Sequence, residues 1–435
     1  MSAQPNLLFV ITDHHAWYQH SQPDDFHLEL PVWDRFCAEG VRFDRAYSVC
    51  PLCSPARASM MTGLYPSAHG MTRNTEVGPA REFRPQQLLY SHHLSRAGYR
   101  NAYVGKWHCG HERLPVDYGI EGWSLPDYGK VYMSDAYRRY ADERGLGEAR
   151  AHIEHNLNHP EWSGQTLTLH HESPWRFMNG SGVLEGPPEA HEEQFVAHLA
   201  CEKLRELAGG GRPFSLVASF WGPHQPYYPT QPYASMVGAD TIPEYPSFSD
   251  DLTGRPLRHV IHRECHHAGA KAWRDWSVWR EVMRVPLAVR WPAGIEGGVS
   301  RRALVSYLDT TATMLDAAGT EIPEAMHSRS LLPLSRGETD DRPDEVILEH
   351  NGKGPTNVIQ RMLVRGRYTY VAALYDGDEL YDLESDPFEM HNLVEEPGHA
   401  DVGRDMRGRL LRHIEETGDP VAGDHFLVSL RQHGV

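Results

Sequence analysis

The chain has 435 residues and a formal net charge of −17, with 42 lysines and arginines against 59 aspartates and glutamates. This acidic balance does not favour nucleic acid as a partner, because a phosphate backbone is bound by basic side chains. No apolar run approaches the roughly 20 residues of a membrane-spanning helix, and residues 7–11 lack the features of a signal peptide. We therefore expect a cytoplasmic protein without membrane or nucleic-acid partners, whose six cysteines are reduced.

Strand-length apolar stretches alternate with helical patterns along most of the chain. The predicted strands include residues 7–11 and 101–105, and each of the segments 213–229 and 285–295 begins with a predicted strand and continues into a turn. This alternation predicts an α/β fold, with a mostly parallel sheet covered by helices. Beyond about residue 340 the pattern becomes one of short antiparallel strands and a closing helix. We predict a catalytic domain at 1–339, with an insertion at about 113–190, and a smaller antiparallel C-terminal subdomain at 340–435.

Polar residues follow three of the predicted strands. Asp13 follows the first, Lys106 and His108 follow the second, and His224 follows the third in a Gly-Pro turn. Ligands gather at the carboxyl ends of strands in open parallel sheets, so these side chains mark a candidate site. The helix formers after Pro55 place a helix N-terminus near residue 53, where free N–H groups suit an anion.

Cys50 and Cys53 form a Cys-x-x-Cys pair at this helix start. A zinc site needs a second pair at matching spacing, and the other cysteines are isolated. A thioredoxin-like redox pair also lies at a helix N-terminus, although no other pattern supports redox chemistry here. The third interpretation treats Cys53 to Arg57 as one unit, with Cys53 reactive and Cys50 a structural neighbour.

The stretch CSPAR followed by ASMMTG (53–63) resembles the signature of the type I sulfatases. In that family the motif cysteine is oxidised to formylglycine by a dedicated enzyme that reads the Cys-x-Pro-x-Arg core. LLFVITDHH, GYRNAYVGKWHCG and FWGPHQPYYP also resemble family segments, in the family's order. The resemblance implies an alkaline phosphatase-like fold and hydrolysis of a small sulfated substrate, with the formylglycine-generating enzyme as a partner.

The resemblance also implies one divalent metal ion, calcium before magnesium or manganese. Cys53, as formylglycine, would be both nucleophile and metal ligand, and Asp13 would be a ligand. His14 stands where the family often has another acidic residue or glutamine. Because imidazole is a poor ligand for calcium or magnesium, His14 is either a neighbour or a ligand that favours manganese or zinc.

The remaining roles implied by the resemblance concern charge and protons. Arg57 and Lys106 would hold the nucleophile and the sulfate charge, and His108 would take the proton that ends the covalent intermediate. His224 would contact sulfate or protonate the leaving oxygen. Asn74 would border the sulfate as a polar contact.

The sequence departs from the family between His224 and Val285. A strand ending in Asp-His-Gly or Asp-Asn-Gly, which carries the second half of the metal site, is missing, so we predict a deletion near Trp276. Candidate substitute ligands are Asp250, Asp251, Asp275, His266 and His267.

Two other functions stay open at this point. One is a phosphonate or phosphate monoester hydrolase on the same scaffold, and the other is a sulfatase-like binding protein with impaired catalysis. The insertion carries aromatic residues that either frame a sugar or aryl pocket or pack a lid: Trp123, Tyr128, Tyr132, Trp162 and Trp175. The sequence predicts no oligomeric state.

Overall fold

The computed structural model describes residues 4–17, 28–78, 80, 82–156, 159–169, 179–238, 250–267, 283–338, 341–352, 358–419 and 430. The chain forms two compact units. The first consists of Met1–His15 and Ser91–Pro243, and the second of Ala16–Tyr90 and Glu244–Val435. None of the helices in the described ranges combines the length and apolar character needed to cross a membrane.

The strands are β1 (Leu7–Ile11), β2 (Val41–Tyr47), β3 (Arg100–Gly105), β4 (Glu121–Trp123), β5 (Arg150–Asn156), β6 (Thr166–Thr168), β7 (Gly180–Leu184), β8 (Phe214–Ser219), β9 (Leu287–Val289), β10 (Val299–Ser306), β11 (Glu345–Asn351), β12 (Ile359–Arg365), β13 (Tyr368–Ala373) and β14 (Glu379–Asp382). The helices are α1 (Pro31–Ala38), α2 (Cys53–Thr62), α3 (Pro66–His69), α4 (Tyr90–Arg96), α5 (Asp135–Arg144), α6 (Glu192–Ala208), α7 (Leu257–His267), α8 (Leu308–Ala317), α9 (Leu332–Arg336) and α10 (Ala400–Thr417).

The first unit contains a parallel sheet in the order β1-β8-β3-β4. All six residues of β8 are buried, because this strand has a neighbour on each side and α6 packs near it. In the register of the sheet, Ile11 and Gly105 both pair with Ser219. The carboxyl ends of β1, β3 and β8 therefore lie level, at one end of the sheet.

The insertion of the first unit carries a separate antiparallel sheet in the order β6-β5-β7. Its side chains Ile153 and Leu184 share one apolar core with Phe195 of α6 and Leu216 of β8. Of the aromatic residues of this segment, Trp123, Tyr128, Tyr132 and Trp162 pack against that core. Trp175 lies outside the described residues.

Strand β1 lies at one edge of the parallel sheet as far as the described residues define it. The side chains of Leu8 and Val10 on this strand are each 55% exposed. An apolar edge strand is what removal of an adjacent strand would leave. The missing strand itself stays a prediction, because Asp275 and Trp276 lie outside the described residues.

The second unit contains the three-stranded sheet β10-β2-β9 and the antiparallel meander β11-β12-β13-β14. Helix α10 packs on the meander, where Leu410 and Ile414 meet Leu363 and Tyr370. The mainly parallel α/β sheet and the antiparallel C-terminal sheet confirm the predicted fold class. A domain boundary between residues 339 and 340 stays a prediction.

The meander has a buried ionic network around Arg361 on β12. Its guanidinium binds Asp419 at 2.6 Å and Asn351 at 2.9 Å, and the side chains of Arg361 and Asp419 have no exposed surface. Arg361→Met should lower the free energy of unfolding by about 3–5 kcal/mol, because it leaves a buried carboxylate without its cation.

Urea unfolding followed by circular dichroism measures this effect. The matched control is Arg365→Met on the same strand, whose side chain is 41% exposed and whose ion pairs should contribute less than about 1 kcal/mol. Equal losses of unfolding free energy in the two variants would contradict a stabilising role of the buried ion pair of Arg361.

Candidate active site

Gly105 and Lys106 form a tightly built strand end in the first unit. Gly105 has φ +107°, and a Cβ at this position would lie 1.8 Å from the carbonyl oxygen of Ser219. Only glycine therefore permits the close approach of β3 to β8. The Lys106 N–H donates to Ser219 O at 2.8 Å, while Tyr103 Oη and Ser219 Oγ donate to Lys106 O at 2.6 and 2.9 Å.

The fully buried ammonium of Lys106 forms an ion pair with Asp13 Oδ2. Asp13 is held by its own N–H, which donates to Gly222 O at 3.0 Å. The Lys106 Nζ also lies 4.0 Å from the centre of the Tyr128 ring, where the face of the aromatic ring attracts a cation. The sheet thus brings together Asp13 and Lys106, which the sequence predicted at the ends of two different strands.

His224 lies in the turn after β8, and the hydrogen-bond partner of its Nδ1 shows that this ring nitrogen is protonated. Its Nδ1 lies 2.7 Å from Gln225 O and 3.2 Å from Tyr128 Oη. A carbonyl oxygen only accepts, so Nδ1 must carry the hydrogen in this contact. The neutral imidazole consequently keeps its lone pair on Nε2, the nitrogen available to exchange a proton with a ligand.

His14 and His108 both have the left-handed backbone conformation, with φ +59° and +51°. Histidine adopts this conformation at an energetic cost, and such residues cluster at functional sites. The His108 ring meets Tyr128 edge to face at 5.6 Å, and the His14 ring lies 5.5 Å from that of His224. His14 is therefore placed beside a predicted catalytic residue, and its role as a metal ligand stays a prediction.

Glu193, at the start of α6, binds the turn that follows β8. Its Oε1 accepts from the N–H of Gly222, and its buried Oε2 has no hydrogen-bond partner in the described part of the chain. Burial, together with the nearby charge of Asp13, raises the pKa of Glu193 to about 7. Glu193 fixes the turn that carries His224, a role the sequence reasoning missed because acidic residues are ordinary in the first turn of a helix.

In the second unit, α2 begins at Cys53 and ends at Thr62, where the left-handed Gly63 stops it, as the sequence predicted. Cys53 is half-buried, and Arg57, one turn further along the helix, is 2% exposed. Side chains four residues apart lie on the same side of a helix, so the Arg57 guanidinium belongs to the same helix face as Cys53. The cation adds to the partial positive charge of the helix start.

Asn74 is placed at this helix start. Its Oδ1 accepts from the N–H of Ser54 at 3.1 Å, and the N–H of Thr75 donates to Ser54 Oγ at 3.3 Å. Asn74 thus satisfies one of the N–H groups that a helix start leaves open. This contact fixes the loop to α2, and the predicted contact of Asn74 with sulfate stays a prediction.

The two cysteines of the Cys-x-x-Cys stretch have different surroundings. Cys50 is 1% exposed, and burial raises the pKa of its thiol to about 12. Cys50 is therefore an inert, protonated side chain at neutral pH. The only one of the pair with accessible surface is Cys53.

A buried histidine anchors α2 and makes stability depend on pH. The N–H of Met71 donates to His69 Nδ1 at 3.1 Å, and Nε2 lies 3.1 Å from Ser59 Oγ on α2. Burial lowers the pKa of His69 from 6.5 to about 3. Below pH 6.5 the unfolded chain binds a proton at this histidine and the folded chain does not. The free energy of unfolding therefore falls by about 1.4 kcal/mol for each pH unit below this value.

His69→Gln should therefore lose part of the acid sensitivity, because glutamine keeps a donor and an acceptor without binding a proton. Urea unfolding at about pH 7 and about pH 5 should show the variant gaining about 2 kcal/mol on the wild type as the pH falls. Parallel pH curves for the two proteins would contradict a buried neutral His69.

The candidate substitute metal ligands have other partners where they are described. Asp250 Oδ2 pairs with the guanidinium of Arg255 at 2.7 Å, and Asp251 Oδ1 accepts from the N–H of Thr253 at 2.8 Å. His266 and His267 end α7, and their side chains, like Asp275, lie outside the described residues. Asp13 is the carboxylate that the described site in the first unit offers to a hard cation.

The parallel sheet covered by helices, with the antiparallel C-terminal sheet, has the alkaline phosphatase-like α/β fold. The same fold occurs in the phosphonate monoester hydrolase from Silicibacter pomeroyi, with a TM-score of 0.72, 20% identity and 97% of each chain covered.

Family models match both parts of the chain. The model described as Sulfatase matches residues 5–247, more than half of the chain, and the model described as N-sulphoglucosamine sulphohydrolase, C-terminal, matches residues 269–416. The chain therefore belongs to the sulfatase family, a family of sulfuric ester hydrolases.

Two curated relatives are similar over nearly the whole chain. The uncharacterized sulfatase YidJ of Escherichia coli (strain K12) is 27% identical, over 96% of this chain and 88% of the relative. The choline-sulfatase of Rhizobium meliloti (strain 1021) is 27% identical, over 93% of this chain and 86% of the relative.

Proposed function

We propose that this sulfate ester hydrolase uses Cys53, converted to formylglycine, as its nucleophile. The observation that carries the proposal is the level ending of β1, β3 and β8, which groups Asp13, Lys106 and His224 in the first unit. A buried ammonium and a proton-donating imidazole are the groups that an anionic ester with a poor leaving oxygen requires. The start of α2 in the second unit adds Cys53 and the buried Arg57 to the same reaction.

The sulfatase family generally uses a metal ion together with formylglycine. We propose that Asp13 is a ligand of a divalent cation, which would supply positive charge to the sulfate oxygens. Calcium takes six or more oxygen ligands. In the described part of the first unit the Asp13 carboxylate pairs with the ammonium of Lys106, so this carboxylate does not by itself provide a calcium site.

The chain's own residues carry the charge and the protons. A hydrated formylglycine supplies two hydroxyl groups. One loses its proton to water and attacks sulfur as the alkoxide, and the other loses its proton as the C–O bond to sulfate breaks, which releases sulfate and restores the aldehyde. Lys106 and Arg57 stabilise negative charge on the sulfate oxygens. His224 first takes a proton on Nε2 to become an imidazolium, gives that proton to the departing oxygen and returns to the neutral Nδ1–H form. His108 accepts the proton of the second hydroxyl.

The substrate we propose is a small sulfate ester, with the formylglycine-generating enzyme as the partner that converts Cys53. Initial rates on 4-nitrophenyl sulfate and on an aryl phosphonate monoester test this choice under identical conditions. The expected result is a higher kcat/KM for the sulfate. A strong preference for the phosphonate would contradict the sulfate proposal and favour a phosphonate monoester hydrolase, a kind of enzyme that also has this fold.

A further inference from the structure

Tyr128 contacts three of the proposed catalytic side chains in the first unit. Its ring faces Lys106 Nζ at 4.0 Å and meets the His108 ring edge to face at 5.6 Å. Its hydroxyl lies 3.2 Å from His224 Nδ1 and donates to Gln225 O at 3.1 Å. One half-buried side chain thus links the ammonium and the two imidazoles.

The backbone on both sides of Tyr128 is held in special conformations. Asp127 has φ +51°, and Gly129 has φ +78°. Asp127 Oδ2 pairs with His111 Nδ1 at 2.7 Å, and its N–H donates to Gly110 O at 3.0 Å. A non-glycine residue such as Asp127 occupies this conformation only where the surroundings compensate the strain.

Trp221, in the turn that leads to His224, fixes the same loop from the other side. Its Nε1 donates to Tyr128 O at 2.6 Å. A Cβ at Gly129 would lie 2.7 Å from Cζ2 of the same indole, so the indole and the loop fit only with glycine here. The loop is therefore built to hold one side chain, Tyr128, against the turn of His224.

The contacts of the hydroxyl are suited to controlling the imidazole. Gln225 O accepts from both His224 Nδ1 and Tyr128 Oη, which uses the two lone pairs of the carbonyl. The Tyr128 ring also packs against the His224 ring, with centres 5.3 Å apart. Rotation of the imidazole, which would exchange Nδ1 and Nε2, is opposed by both contacts.

We propose that Tyr128 is a positioning residue that keeps His224 in the Nδ1–H form, with Nε2 directed to the departing oxygen, and that its ring holds the Lys106 ammonium in place. This inference rests on the proposed function, because it takes His224 as the proton donor. In the neutral ring Nε2 holds a lone pair, and it takes up a proton from solvent before catalysis. That proton goes to the oxygen as the S–O bond breaks, which restores the neutral ring, and Nδ1 keeps its hydrogen on Gln225 O throughout. Tyr128 itself gains and loses no proton.

Leaving-group dependence separates positioning from a merely structural role. Proton donation matters most for a poor leaving group, so Tyr128→Phe should lower kcat/KM about tenfold for esters of weakly acidic phenols and less than about twofold for 4-nitrophenyl sulfate. Tyr128→Leu, which also removes the ring next to Lys106, should lower the rates on both kinds of ester. The matched control is Tyr140→Phe, which removes a hydroxyl that donates to Glu189 O at 2.9 Å.

A second measurement does not need turnover. Nitrogen-15 NMR of His224, assigned by comparison with His224→Gln, should show Nδ1–H in the wild type and a mixture of the two neutral forms in Tyr128→Phe. An equal loss of rate on all esters, or an unchanged Nδ1–H signal in the variant, would overturn the role of Tyr128. Absence of aryl sulfate turnover in the wild type would instead overturn the proposed function. The NMR result would still show whether the Tyr128 hydroxyl keeps the hydrogen of His224 on Nδ1.

Discussion

Replacing Cys53 with alanine is expected to lower kcat for an aryl sulfate by at least about 10⁴-fold, because the change removes the proposed nucleophile. Cys53 is the first residue of α2 and packs less tightly than its neighbours, so the fold should be retained. Thermal unfolding followed by circular dichroism checks that the variant is folded before its rate is compared.

The matched control for this variant is Cys50→Ala, three residues away in the same loop. Cys50 is 1% exposed and protonated at neutral pH. Its removal should lower stability by roughly 1 kcal/mol through a small cavity and change kcat less than about threefold. Loss of activity in Cys50→Ala with full activity in Cys53→Ala would show that Cys50, and not Cys53, is the reactive cysteine.

Lys106→Met is the second change with a large expected effect. Methionine fills a similar volume without the charge, so the variant loses the ammonium that pairs with Asp13 and lies over Tyr128. We expect kcat/KM for an aryl sulfate to fall by about 10²–10³-fold, the usual effect of removing one group that stabilises charge in the transition state.

Lys203→Met is the control for this second change, because Lys203 on α6 forms ion pairs with Glu206 on the same helix and with Glu121 on β4, away from Asp13 and Tyr128. Its kcat/KM should stay within about twofold of the wild type. If both lysine variants kept the wild-type rate, Lys106 would have no part in stabilising the sulfate charge.

The sequence predicted the strand ends well, because local patterns determine them. The apolar stretch 7–11 forms β1 within the same limits, and the glycine before Lys106 is required by its contact with Ser219 O. The helix start at Cys53 followed from the helix formers after Pro55 and the stop at Gly63. Features that depend on a few adjacent residues could therefore be predicted from the sequence.

The contacts that organise the site come from residues far apart in the chain, and the sequence did not reveal them. Tyr128 lies 96 positions from His224, and the sequence identified it only as one of the aromatic residues of the insertion. Glu193 resembled an ordinary acidic residue at a helix start until the N–H of Gly222 was found on its carboxylate. Such pairings depend on strand register and loop conformation, which no single local pattern specifies.

Peptide mass spectrometry of a preparation that hydrolyses aryl sulfate decides whether position 53 carries formylglycine. Trypsin cleaves after Arg45 and Arg57, so one peptide, residues 46–57, contains both Cys50 and Cys53. After alkylation in denaturant, we expect one alkylated cysteine at position 50 and an aldehyde at position 53 that a hydrazine probe captures. Two alkylated cysteines in the active preparation would contradict a formylglycine nucleophile.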